Sequence, residues 1–267
     1  MISIKDLIKL TQKKYRREMG LCIIEGEKLV REHKVRAVAI FDTRGRSSVL
    51  SSTPLRPQDF DRVSSLETSQ GVLAVVPIPK SDKITFPYLV LDGVQDPGNV
   101  GTLLRTACAF GFNTIFCINS ADVWSQKVIR SAMGAQFSLN IYELSFNEFA
   151  AVYKEKLQNA ELLIADSGGT ETPIGSLRGT KQSSAIINTN NSLDVKTSPG
   201  LLRFARNDNS FGLVLGSEGQ GISAEIKSLP HKTITIPMET GVESLNVAVA
   251  GGIIMYQLRK ENQHVGS

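Results

Sequence analysis

Two short apolar runs near the carboxyl end, residues 211–215 and 233–236, constrain this chain more than any other feature. Each has the length and β-branched composition of a buried strand, and each stops abruptly in turn chemistry. Two strand ends therefore present their loops to one place. The first loop, Gly216-Ser217-Glu218-Gly219-Gln220-Gly221, allows positive φ and close approach to a ligand, and it sets one carboxylate among the glycines. The second, from Pro237 to Asn246, leads into a segment that is apolar nearly all round, which predicts a buried helix. Gly251 and Gly252 inside that helix each cost about 1 kcal/mol relative to alanine, so another element is expected to pass very close there.

A third segment, LDGVQDPGNVGTLLRTACAFG at 91–111, precedes this pair. Together, LDGVQDPGNVGTLLRTACAFG, LVLGSEGQGIS and IPMETGVESLNVAVAGGI resemble the three ordered motifs of the SpoU (TrmH-like) branch of the SPOUT RNA methyltransferases. The resemblance covers roughly the last two thirds of the chain. It implies an α/β domain with a C-terminal trefoil knot, bent binding of S-adenosyl-L-methionine, and a homodimer formed through the knot domain. Periodicity alone would not suggest a knot, which is nearly absent from ordinary folds.

The resemblance also implies roles for particular residues. Gly216, Ile236 and Leu245 match the family's cofactor positions, with Leu215, Pro237 and Met238 beside them. Arg105 matches the arginine placed at the ribose and its phosphate; a guanidinium keeps its proton, so stabilising a developing alkoxide fits it better than acting as a base. Asn99 and Glu218 match positions that hold the loops and Arg105, while Ser244 and Asn246 match active-site positions. Local readings stand beside these: Asn99 and Ser244 are each adequate helix N-caps, and an arginine off a helix's apolar stripe is ordinarily an exposed ion-pair partner.

The amino-terminal part is distinguished by charge. Residues 5–36 hold ten basic and five acidic side chains, a surplus of five, whereas the whole chain is only +4. That bias favours phosphate-rich partners, although a solvated surface helix has the same composition. The sequence predicts a basic amphipathic helix over 2–17, strands at 22–24, 35–41 and 71–76, and a helix from 26 to 30, which together make a small α/β unit. KYRREMGLCIIEGEKLVRE at 14–32 is similar to the opening of the ribosomal-protein-like substrate-binding domain that many SpoU enzymes carry. It implies an RNA-facing surface bearing Lys14, Tyr15, Arg16, Arg17 and Glu25, with local pairing as the alternative for Glu25. The expected organisation is an RNA-binding domain over 1–76, a hinged linker over 77–87, and a methyltransferase domain over 88–267.

Within 88–165, strand-like runs alternate with helical ones, predicting a mostly parallel sheet with helices on both faces. Residues 180–210, rich in Asn, Ser and Thr, break that order and read as an inserted surface loop without function; GTKQSSAIINTN and GLLRFARND resemble peptides encoded by mobile palindromic repeats. Cys22, Cys108 and Cys117 share no metal-ligand or disulfide spacing and lie in apolar patterns, so reduced core thiols and no metal are expected. With no signal peptide or long apolar run, a cytoplasmic protein without a membrane partner is expected. The glycine loop lacks the GK[ST] ending of a P-loop, and its glutamate would repel phosphate, which argues against an ATPase. The expected activity is methylation of an RNA ribose 2′-hydroxyl, in ribosomal RNA rather than tRNA. The rival from another class is a non-catalytic RNA-binding assembly factor.

Overall fold

The computed structural model describes residues 2–43, 52–166, 172–173, 210–239 and 244–263. All but Ser210 of the expected insert lies outside them, as do residues 240–243 of the segment expected to form the knot.

At the amino end, Ser3 caps α1 (Ile4–Leu10): its hydroxyl accepts the Asp6 N–H at 3.2 Å, and the Asp6 carboxylate accepts the Ser3 N–H at 3.0 Å. The single helix expected over 2–17 is two helices, because Thr11 closes the first turn-wise, its hydroxyl donating to the Ile8 carbonyl at 2.7 Å. Then α2 (Lys13–Met19) ends at Gly20, whose φ of +63° few other residues adopt. There follow β1 (Leu21–Glu25), α3 (Glu27–His33), β2 (Ala39–Asp42), β3 (Thr53–Pro54), α4 (Pro57–Asp61) and β4 (Val72–Pro77). The strand expected from 35 starts only at Ala39; Val35, 91% exposed, lies in a 3₁₀ turn. These strands form a sheet of order β1-β4-β2-β3, with β4 antiparallel to both neighbours.

The second sheet comprises β5 (Tyr88–Asp92), β6 (Thr114–Ile118), β7 (Asn140–Leu144), β8 (Glu161–Ala165), β9 (Thr172–Pro173), β10 (Phe211–Gly216) and β11 (Lys232–Thr235). Among the described residues its order is β7-β6-β5-β10-β8-β11-β9, and every pairing is parallel. The connecting helices are α5 (Pro97–Phe110), α6 (Gln126–Ser131), α7 (Phe146–Val152), α8 (Ala224–Lys227) and α9 (Val247–Gln263). Strand residues alternate between two apolar layers. Leu89, Leu91, Leu213 and Leu215 pack with Val100, Leu103 and Met255, from α5 and α9, whereas Tyr88, Val90 and Val214 pack with Phe149 and Ile226 on the other face. The expected parallel sheet with helices on both faces is present.

Fully buried Tyr88 illustrates how tightly that second face is filled. Its ring meets Phe116 edge-on at 5.6 Å, and a Cβ at Gly212 would fall 2.1 Å from its ring carbons. Gly212→Ala is expected to cost about 1–3 kcal/mol through overpacking. A urea midpoint unchanged from wild type would show that the ring can move.

The two sheets are packed against each other. Cys22, Ile24, Ala74 and Val76 belong to the same apolar cluster as Leu89 and Val100. Polar contacts seal the seam: the Arg36 guanidinium donates to the Phe137 carbonyl at 2.9 Å, Gln126 to the Val63 carbonyl at 3.1 Å, and Arg130 to the Ser65 hydroxyl at 2.9 Å. Cys22 and Cys117 are buried and Cys108 half-buried, all three as free thiols. Burial pushes the Cys22 thiol up to about 12, so it stays protonated and unreactive.

Candidate active site

Three segments distant in sequence meet at the carboxyl ends of β10, β8 and β11, where a parallel α/β sheet presents its binding crevice. At that edge lies a cavity of about 370 Å³, large enough for a small-molecule ligand. Its apolar wall comprises Ala165, Leu215, Ile234, Ile236, Val247, Ala250 and Ile254, and its polar wall includes Asp166, Ser217, Glu218, Thr235 and Ser244. Of the residues expected around the cofactor, Leu215, Gly216, Ile236, Met238 and Leu245 line it; Pro237, between two of them, is exposed and does not.

The loop after β10 closes on itself, with Ser217 and Gly221 exchanging backbone hydrogen bonds at 3.0 and 2.9 Å. Gly221 adopts φ +67°, and a Cβ on Gly216 would sit 2.4 Å from the Gly221 backbone, so no side chain fits at Gly216 without moving the loop. Buried Asp92, at the end of β5, accepts the Ser223 N–H at 2.7 Å and ties the far side of this loop to the sheet.

Glu218 is the junction of the three segments. Its Oε1 accepts Asn99 Nδ2 at 2.8 Å and Asn246 Nδ2 at 2.7 Å, and Asn246 also donates to Asn99 Oδ1 at 3.1 Å. The caps expected at Asn99 and Ser244 are held by other residues. Asp96 caps α5 by accepting the Asn99 N–H at 2.8 Å, which leaves the Asn99 side chain available to Glu218. Asn246 caps α9 through Oδ1, which accepts the Ala248 and Val249 N–H groups, while Ser244 faces the cavity three residues before the helix. Asp96 and the capping role of Asn246 were missed; an Asp immediately before a Pro-Gly helix start is the signal for the first.

Arg105, six residues beyond Asn99, is rotated about 240° around α5 from it. It is exposed and makes no hydrogen bond or ion pair among the described residues. It is not on the cavity wall of its own chain. Gly251 behaves as expected, since a Cβ there would meet Leu103 and Leu215 at 2.5 and 2.6 Å; Gly252 has only Thr106 at 3.9 Å. The expectation that α9 is buried all round does not hold: Val249, Ile253 and Tyr256 form an exposed stripe on one side.

At the amino end the expected RNA-facing residues divide. Lys14 and Arg17 are exposed and line a surface groove with Lys13 and Glu18; Tyr15 is half-buried, with Lys9 and Lys14 ammonium groups 5.8 and 5.7 Å from its ring centre. Arg16 and Glu25 are not on that surface. Arg16, 5% exposed, pairs with Asp122 across the seam and donates to the Leu10 carbonyl at 2.7 Å. Glu25, also 5% exposed, accepts from the Ser64 and Ser69 hydroxyls at 2.6 and 2.8 Å, the local alternative for that residue. Serine hydroxyls that satisfy a carboxylate let it be buried, and a half-buried acid does the same for Arg16.

Residues 87–256, more than half of the chain, match the SpoU rRNA Methylase family. The chain belongs to that family. Residues 2–74 match the MRM3-like substrate binding domain. Among SpoU relatives, the chain is 29% identical to the 23S rRNA (guanosine(2553)-2′-O)-methyltransferase RlmP of Bacillus subtilis, over 96% of this chain and 95% of that one. It is 31% identical to rRNA methyltransferase 3A, mitochondrial, of Danio rerio, over 76% of this chain but only 53% of that protein's length. The AdoMet-bound rRNA methyltransferase structure from Sinorhizobium meliloti shares the fold, with a TM-score of 0.72 at 21% identity over 99% of this chain and 95% of that one. No helix among the described residues is long and apolar enough to cross a membrane.

Proposed function

We propose that this protein transfers a methyl group from S-adenosyl-L-methionine to a ribose 2′-hydroxyl of ribosomal RNA. The observation that carries the proposal is the meeting of Asn99, Glu218 and Asn246, one from each motif, at a cavity lined by five of the six expected cofactor residues. The relatives named for rRNA methylation and the match of residues 2–74 to a substrate-binding domain favour rRNA over tRNA.

The cavity fits the cofactor chemically: aliphatic side chains can sandwich a purine, and the polar rim can take the charged amino-acid end. When bound, S-adenosylmethionine would supply an electrophilic methyl group. Gly216 admits close backbone approach, and the Glu218 carboxylate holds the loops at fixed separation. Glu218→Ala strands two amide donors and is expected to weaken S-adenosylhomocysteine binding about ten-fold, with a smaller loss for Glu218→Gln, whose carbonyl still accepts. Calorimetry gives both values, and equal affinities in all three proteins would leave Glu218 without this role.

We further propose a homodimer through the exposed Val249, Ile253 and Tyr256 stripe, in which the knot domain of one chain brings Arg105 to the cavity of its partner. An exposed guanidinium without a partner among the described residues, and an uncovered apolar stripe on α9, support this arrangement. Lys14 and Arg17 would hold RNA phosphates by counterion release on the 1–76 domain, with the Tyr15 ring beside them. The test is incubation with labelled S-adenosylmethionine and total RNA, followed by mapping of ribose methylation. Transfer to tRNA alone would replace the substrate, and cofactor binding with no transfer to any RNA would favour an assembly factor.

A further inference from the structure

Two acidic residues stand on the described cavity wall, and Glu218 is committed to the asparagine junction. The other, Asp166, lies just past the carboxyl end of β8, where its N–H donates to the Ile234 carbonyl of β11 at 3.2 Å. The backbone there is thus pinned between two strands. Lys227, on α8, donates to Asp166 Oδ2 at 2.6 Å, so the carboxylate is held from the side of the glycine loop as well. Its side chain is 26% exposed, which places it at the rim rather than beneath the apolar wall of Leu215, Ile236 and Val247.

A purine resting on that apolar wall must direct its attached sugar towards the polar rim. A ribose diol offers two O–H donors, and a carboxylate, an acceptor at two oxygens, can receive from a diol while it also holds a lysine. In other parallel-sheet crevices an acidic residue near a strand end takes up ribose hydroxyls for the same reason. We propose that Asp166, positioned by Lys227, binds the 2′,3′-diol of the cofactor's adenosine and thereby selects a ribonucleoside donor. This rests on the S-adenosylmethionine reading above.

The test is calorimetric binding of S-adenosylhomocysteine, its 2′-deoxy and 3′-deoxy analogues and its inosine analogue to the full chain and to Asp166→Ala and Asp166→Asn. The wild type is expected to bind the deoxy analogues about ten-fold more weakly than the parent. In Asp166→Ala the parent should weaken by a similar factor and the deoxy penalty should vanish. Asp166→Asn, which keeps the side chain's shape, should show a reduced penalty and guards against a fold defect in the alanine variant. A deoxy penalty that persists in both variants overturns the assignment. So does loss of discrimination against the inosine analogue instead, which would put the carboxylate at the base. Failure of the wild type to bind the parent compound at all would defeat the cofactor reading itself.

Discussion

Arg105→Ala is expected to leave S-adenosylhomocysteine affinity within about two-fold of wild type while lowering methyl transfer by about 10²–10³, the usual cost of losing one preorganised charge at a developing oxyanion. Arg105 projects from the exposed side of α5, off the stripe of Val100, Leu103, Leu104 and Ala107 that buries the helix, so its removal disturbs no packing. It is not on its own chain's cavity wall, so cofactor affinity should not depend on it. What it can supply is positive charge near an RNA ribose and its phosphate. Arg105→Lys should recover only part of the rate, because a point charge lacks the planar fork that grips a phosphate. If the partner's arginine serves each cavity, mixing Arg105→Ala chains with cavity-defective Glu218→Ala chains should yield more activity than either variant alone. Full activity of Arg105→Ala would remove this side chain from the mechanism, and no recovery on mixing would count against the shared site.

Arg16→Ala is expected to destabilise the protein by about 3–5 kcal/mol, because it strands the Asp122 carboxylate inside the seam without a counter-charge. The Arg16 and Asp122 side chains are only 6% and 14% exposed, so water does little to screen or replace the pair. The Leu10 carbonyl loses its donor in the same step. Among the described residues the Arg16 Nε has no hydrogen-bond partner, so the pair leaves one donor unmatched there. That suggests a further outcome: Arg16→Met combined with Asp122→Leu should recover most of the loss, since a buried pair exchanged for apolar side chains of similar size is often neutral. Urea unfolding of the three proteins reads this directly. Unchanged stability of Arg16→Ala, with weakened RNA binding, would return Arg16 to the RNA-facing surface on which its sequence context places it.

Arg16 shows why part of this protein was legible only in three dimensions. In KKYRREM it is one basic residue among several, and nothing in that string distinguishes the side chain that turns inward from Lys14 and Arg17, which stay outside. The partner that draws it in, Asp122, is 106 residues away. Glu25 is the same case, committed to serines about 40 residues further along. The helix caps failed for a related reason: Asn99 and Ser244 are good capping residues by type, but Asp96 and Asn246 took those positions, and Asn99 was left to bond Glu218 instead. The exposed stripe on α9 was hidden by composition, since apolar residues that await another surface look the same as buried ones.

By itself, the sequence determined the alternation of strands and helices and the glycine turn after β10, because periodicity and turn chemistry act over a few residues at a time; the cavity residues it named came from the family resemblance. Only the tertiary structure decided which polar side chains meet. Asn99, Glu218 and Asn246 form one junction, Arg16 and Asp122 close one seam, and Asp166 joins Lys227 at one rim, because each of those contacts brings together groups whose separation along the chain carries no information about their distance in space.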